Sequence, residues 1–113
     1  MTPQFNSLVK DEDIVWEIID SKIKRKIMAY NDKLMLVKID FETGGIGQLH
    51  HHPHLQMSYV ASGVFETTIA NETKILKQGD VFFVPENAIH GVVCLEAGLL
   101  VDVFSPLRED LLC

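Results

Sequence analysis

Apolar residues recur in short runs that alternate with polar ones or are rich in Val, Ile and Phe, and a new run begins roughly every eight to twelve residues. No long segment repeats apolar positions at spacings of three and four, so the pattern predicts strands rather than amphipathic helices. The expected strands are residues 14–19, 24–30, 33–41, 47–51, 55–61, 64–70, 73–77, 80–85, 89–95 and 99–104. Turn chemistry separates them. Asn31 with Asp32, Gly44 with Gly45, Ser62 with Gly63, Asn71, Gly79, Asn87 and Gly98 tolerate positive φ or bond locally to the backbone. About ten short strands in 113 residues would leave long edges in one open sheet, whereas a barrel or two-sheet jelly roll pairs them. After Ser105-Pro106 the last residues, "LREDLLC", suit a short helical turn, because proline ends the preceding strand.

Composition narrows the class. A chain that is 47% hydrophobic and 23% charged fits one all-β globular domain over residues 1–113, with no repeat or internal linker. A net charge of −6 argues against nucleic acid, whose binding depends on clustered cations. The one basic cluster, "KIKRK" at 22–26, reads as a solvated strand face or turn. Cys94 and Cys113 lie far apart and form no metal spacing, so both are expected as reduced thiols. The first twenty residues lack the basic start and apolar stretch of a leader, and no run approaches the ~18 apolar residues of a membrane span. The expected location is cytoplasmic, with no membrane partner.

The candidate chemistry lies in "HHHPHLQ", residues 50–56, which holds four of the five histidines. On a strand, His50 and His52 share a face and His51 points the other way, so two imidazoles can serve one metal ion. Pro53 ends regular pairing, which leaves the direction of His54 open, and Gln56 on the next strand can return to the metal's face. His90, the fifth histidine, follows a turn at Glu86 and Asn87. A strand histidine is more often a surface residue than a ligand. That reading is kept for His51 and His54, with His54 placed beside the ligands, exposed, or at a pocket mouth.

"GGIGQLHHHPHLQMSYVASG" resembles the first motif of the cupins, and "GDVFFVPENAIHGVVC" resembles the second. The resemblance implies the cupin double-stranded β-helix, a jelly-roll barrel, with His50, His52, Gln56 and His90 as metal ligands. Two positions depart from the second motif: Asn87 replaces a Gly but still permits a left-handed turn, and Cys94 replaces an Asn. Gln56 stands where many cupins have Glu, so a neutral amide would leave the ion more cationic. One divalent transition metal per chain is expected, from among nickel, zinc, iron and manganese.

The ending "LLVDVFSPLREDLL" sets Asp102 and Phe104 on one strand face and Val101 and Val103 on the other, with Arg108 close behind. A carboxylate on an inward face is expensive without a partner, so Asp102 either pairs with Arg108 or serves a ligand. This ending, with "IKRKIMAYNDKLMLVKIDF" and "HPHLQMSYVASGVFETTI", resembles the small single-domain cupins of uronate catabolism, the KdgF or pectin degradation proteins. That resemblance spans about residues 16–112. It implies an isomerase-type enzyme converting 4,5-unsaturated monouronates from pectin or alginate lyase digestion into linear keto sugar acids, with Asp102, Phe104 and Arg108 as functional residues. Under it, Asp102 is the acid/base, Arg108 clamps the C6 carboxylate and Phe104 faces the flat ring. Arg25 is a second candidate anion-binding group, read here as a surface strand residue. Rival readings are a three-histidine cupin dioxygenase and a non-catalytic sugar-acid-binding module. The segment at about 11–20 exposes Trp16 and several Ile if unpaired, which suggests a homodimer interface.

Overall fold

The computed structural model describes residues 7–112. Among them, ten strands follow the expected periodicity: β1 Glu17–Asp20, β2 Ile23–Tyr30, β3 Met35–Phe41, β4 Ile46–His50, β5 Leu55–Val60, β6 Val64–Ile69, β7 Glu72–Lys77, β8 Val81–Val84, β9 His90–Glu96 and β10 Gly98–Ser105. They form a six-stranded sheet in the order β1-β2-β3-β10-β5-β8 and a four-stranded sheet in the order β4-β9-β6-β7. Every pairing is antiparallel. The two sheets make the jelly roll expected from the strand pattern and enclose one apolar cluster around Phe41, Val60, Phe65 and Leu100. A second cluster, around Met35, Val37, Phe104 and Leu107, lies under the C-terminal 3-10 turn Glu109–Leu112. Among the described residues, no helix is long and apolar enough to cross a membrane.

The alternation that governs the site is strictest in β10, where Gly98, Leu100, Asp102 and Phe104 point inward and the residues between them outward. In β5 two polar residues take inward positions. Leu55, Met57 and Tyr59 are exposed, while Gln56, Ser58 and Val60 are buried. Register aligns the two strands, with Asp102 opposite Ser58 and Phe104 opposite Gln56. One inward surface therefore carries four adjacent polar or aromatic side chains.

Several expectations are corrected. The strand expected at 14–19 is shorter and later, Glu17–Asp20, because Ile14 caps a 3-10 turn over Asp11–Asp13. The strand expected at 47–51 ends at His50. Gly98 opens β10 rather than a turn; left-handed backbone occurs instead at Gly44, Gly63, Gly79, Ala70, Asn71 and Asn87. The basic cluster is not a uniformly solvated face. Lys26 is buried, with Nζ donating to the carbonyl (2.9 Å) and carboxylate (3.0 Å) of Asp11, and its ammonium lies 4.7 Å from the Trp16 ring centre. The Cys94 thiol is free and buried, whereas Cys113 lies outside the described residues.

Candidate metal centre

His50 ends β4 and His90 opens β9, and the two are register partners. Their backbones approach closely at Gly91, where a Cβ would come 2.7 Å from the Gly47 carbonyl oxygen. A side chain there would push β4 away and separate the two imidazoles. His52 lies beyond the strand end, so its place is set by the loop rather than by alternation. The Asn87 N–H donates to the His52 carbonyl at 2.8 Å, from a residue whose φ of 61° gives the left-handed turn anticipated for Asn87.

The three imidazoles converge, with ring centres of His50 and His90 4.3 Å apart and of His52 and His90 4.8 Å apart. One nitrogen from each lies within 4.8 Å of the others. Each Nδ1 is bonded to a backbone carbonyl: His50 to Gln48, His52 to His54 and His90 to Ala88. These bonds hold the Nδ1–H tautomers and leave each Nε2 lone pair free, the second-layer arrangement of metal-bound histidines. Nε2 of His90 is buried with no hydrogen-bond partner, and His52 Nε2 faces Gln56 Oε1 at 3.0 Å. In the Nδ1–H tautomer both of those atoms are acceptors, so their contact lacks a proton. Two ligand atoms of one ion stand at such a separation when each bond is about 2.1 Å. The three imidazoles could therefore hold a metal ion, with the Gln56 amide oxygen beside them. Burial holds His90 down at about 4 and also lowers His52, for which the charge of Arg108 is the next cause, so both remain neutral.

A chain of hydrogen bonds leads from these ligands to the acid. Gln56 Nε2 donates to Ser58 Oγ at 3.0 Å, and Ser58 donates to Asp102 Oδ1 at 2.6 Å. Burial raises the Asp102 carboxyl to about 6, against the opposing pull of the Ser58 bond and the Arg108 charge. Asp102 and Arg108 do not form the ion pair weighed from the sequence. Arg108 instead grips Asp110 with Nε (3.0 Å) and Nη2 (2.6 Å), and its guanidinium carbon lies 5.0 Å from the Phe104 ring centre.

His50, Gln56, His90, Asp102, Phe104 and Arg108 line one cavity of about 190 Å³, floored by apolar residues including Val37, Phe82 and Leu100. His52 packs edge-on against His90 and Phe104. The structure thus brings together all seven residues singled out from the sequence. His51 is exposed; His54 lends its carbonyl to His52, and its own Nδ1 is buried without a partner. Two residues were misjudged. Ser58 was passed over, although its alternation with Gln56 along β5 marks it, and Arg25, read as a surface residue, lines the cavity.

The fold and the sequence have known relatives. The Cupin domain family model matches residues 37–104. The chain is 47% identical over 104 residues to the pectin degradation protein KdgF of Dickeya dadantii (strain 3937), covering 90% of this chain and 94% of that one. Among solved structures, an RmlC-like cupin from Shewanella frigidimarina superposes with a TM-score of 0.94 at 40% identity, over 98% of this chain and 99% of the other. KdgF from Halomonas sp. superposes with a TM-score of 0.89 at 37% identity, over 93% and 99%.

Proposed function

This chain belongs to the cupin family and, within it, to the KdgF proteins, and from that premise we propose that it is a metal-dependent isomerase that opens and ketonises 4,5-unsaturated monouronates released from pectin or alginate. The observation that carries the reading is the convergence of three imidazoles and Gln56 at one cavity, with a buried carboxylate joined to Gln56 through Ser58.

The reaction moves one proton and rearranges bonds within the substrate. The anomeric hydroxyl loses its proton, the C1 carbonyl forms as the bond from C1 to the ring oxygen breaks, and that oxygen remains on C5 as an enolate. Return of the proton to C4 completes the ketone at C5. Asp102 takes the first proton and returns one to C4, a task suited to a carboxyl that titrates near 6. A divalent cation on His50, His52, His90 and Gln56 would supply Lewis acidity toward the substrate's oxygens. Phe104 offers apolar surface to the unsaturated ring, and Arg108, packed on Phe104, places positive charge beside it for the C6 carboxylate, with Asp110 as the anion it exchanges. The apolar floor excludes water and strengthens these charges.

The test follows the ultraviolet band of the conjugated C4=C5 bond in a purified unsaturated monouronate. Accelerated loss of the band that a chelator abolishes is the expected result. No acceleration by protein carrying one metal per chain overturns the reaction.

The homodimer rests on β1, a sheet edge paired only with β2, whose Ile18 and Ile19 are 75% and 46% exposed. Trp16, half-buried against Lys24 and Lys26, contributes less apolar surface than its size suggests.

A further inference from the structure

Ile23, Arg25 and Ile27 are alternate residues of β2, and both isoleucines join the interior clusters, so Arg25 also faces inward. Register places it in one row with Ile39 of β3 and Leu100 of β10. Asp102 lies one inward step from that row along β10 and Phe104 two, a separation of about 13 Å at the backbone between the rows of Arg25 and Phe104. Arg108 stands over Phe104. Two guanidinium groups therefore line one cavity, Arg25 entering from the row of Leu100 and Arg108 standing over Phe104.

Arg25 is incompletely satisfied. Its Nη2 donates to the Leu111 carbonyl at 3.3 Å, while its Nε is buried with no hydrogen-bond partner. The half-exposed Glu17 carboxylate forms an ion pair with that Nε at 3.6 Å, too long for a hydrogen bond, so the charge is balanced while the N–H stays unbonded. The cavity wall nearest in register is apolar, Ile39 and Leu100. A cation with an unmade bond in such a wall is destabilising for the fold alone and favourable for a ligand that brings oxygens.

We propose that Arg25 is a specificity-determining residue of this site, its unbonded Nε–H holding substrate oxygens other than the carboxylate that Arg108 receives. The proposal rests on the reading of the cavity as a sugar-acid site. Its consequence is a preference for short acids oxygenated at both ends, and among inert ligands for a six-carbon dicarboxylate over the matching monocarboxylate.

Calorimetric titration of the metal-loaded protein with galactarate and galactonate tests this, because the two differ only in carrying a carboxylate or a hydroxymethyl group at one end. Wild-type protein is expected to bind galactarate about tenfold more tightly, the scale of one charge-assisted bond. Arg25→Met should erase that ratio, and Arg25→Lys, which keeps the charge without the planar donors, should leave part of it. The proposal is overturned if wild type shows no preference or if Arg25→Met keeps it. It is also overturned if Arg25→Met weakens both ligands by the same factor, the signature of a residue that only braces the Leu111 segment. Loss of the ratio in a protein that leaves the ultraviolet band of unsaturated uronates untouched would retain the Arg25 anchor and remove the ring-opening reaction.

Discussion

Asp102→Asn separates chemistry from stability, because the structure gives the two effects opposite signs. The carboxyl is buried and titrates near 6 rather than 3.8. A rise of about two units corresponds to about 3 kcal/mol held against the folded state when Asp102 is ionised. Since the folded value lies above the unfolded one, this penalty is complete above pH about 6, shrinks as the pH falls, and vanishes below 3.8. Asparagine is nearly isosteric, can still accept the Ser58 hydrogen bond, and carries no charge. In chelator-treated protein near neutral pH, Asp102→Asn should therefore melt higher than wild type, by up to roughly 10 °C for a domain of this size. The gap should close toward pH 4. The metal is removed for this measurement because a bound cation favours the ionised carboxylate and masks the difference. In metal-loaded protein the same substitution should reduce turnover of an unsaturated monouronate by ~10² to 10⁴, the range for a general acid/base. Scanning calorimetry across pH and the ultraviolet assay read the two effects. A variant that melts lower than wild type at neutral pH, or turns over within a few-fold of it, refutes the assignment of Asp102 as a strained buried acid/base.

Ser58→Ala removes a bond that lowers the Asp102 pKa, so the acid limb of the pH–rate profile should move upward; a profile that stays in place breaks the proposed link. The same change strands the Gln56 amide and should lower stability by about 1–3 kcal/mol in denaturant titration. His90→Ala should bring metal content, read by elemental analysis, from about one ion per chain to near zero while the fold persists by circular dichroism. Gly91→Ala should destabilise by about 1–3 kcal/mol and weaken metal binding together, because its Cβ meets the Gly47 carbonyl at 2.7 Å. Light scattering should give a dimer mass, and a monomer mass at all concentrations would exclude the β1 interface.

The all-β class, the jelly roll and the histidine cluster were legible because each rests on a short-range regularity. Period-two alternation marks strands, and His-x-His followed by Gln and a distant Pro-x4-His is a sequence pattern. The inward direction of Asp102 and Phe104 follows from alternation within a single strand, and β10 keeps it without a break. By itself, then, the sequence determined where strands recur, that the chain closes into a barrel, and which side chains are candidates for the site. Three matters were decided only in three dimensions. His52 and His50 converge although the strand ends at His50, because a loop bond from Asn87 rather than the pleat positions His52. Arg108 turned to Asp110 and left Asp102 to Ser58, a choice among neighbours set by how the chain turns after Pro106 and by the register of β10 with β5. Arg25, in a run of lysines that reads as a solvated face, proved inward while Lys26 was covered by the Asp11 turn. Alternation says that neighbours on a strand face opposite ways; which of the two ways is inside depends on the sheet packed against it, and only tertiary structure supplies that.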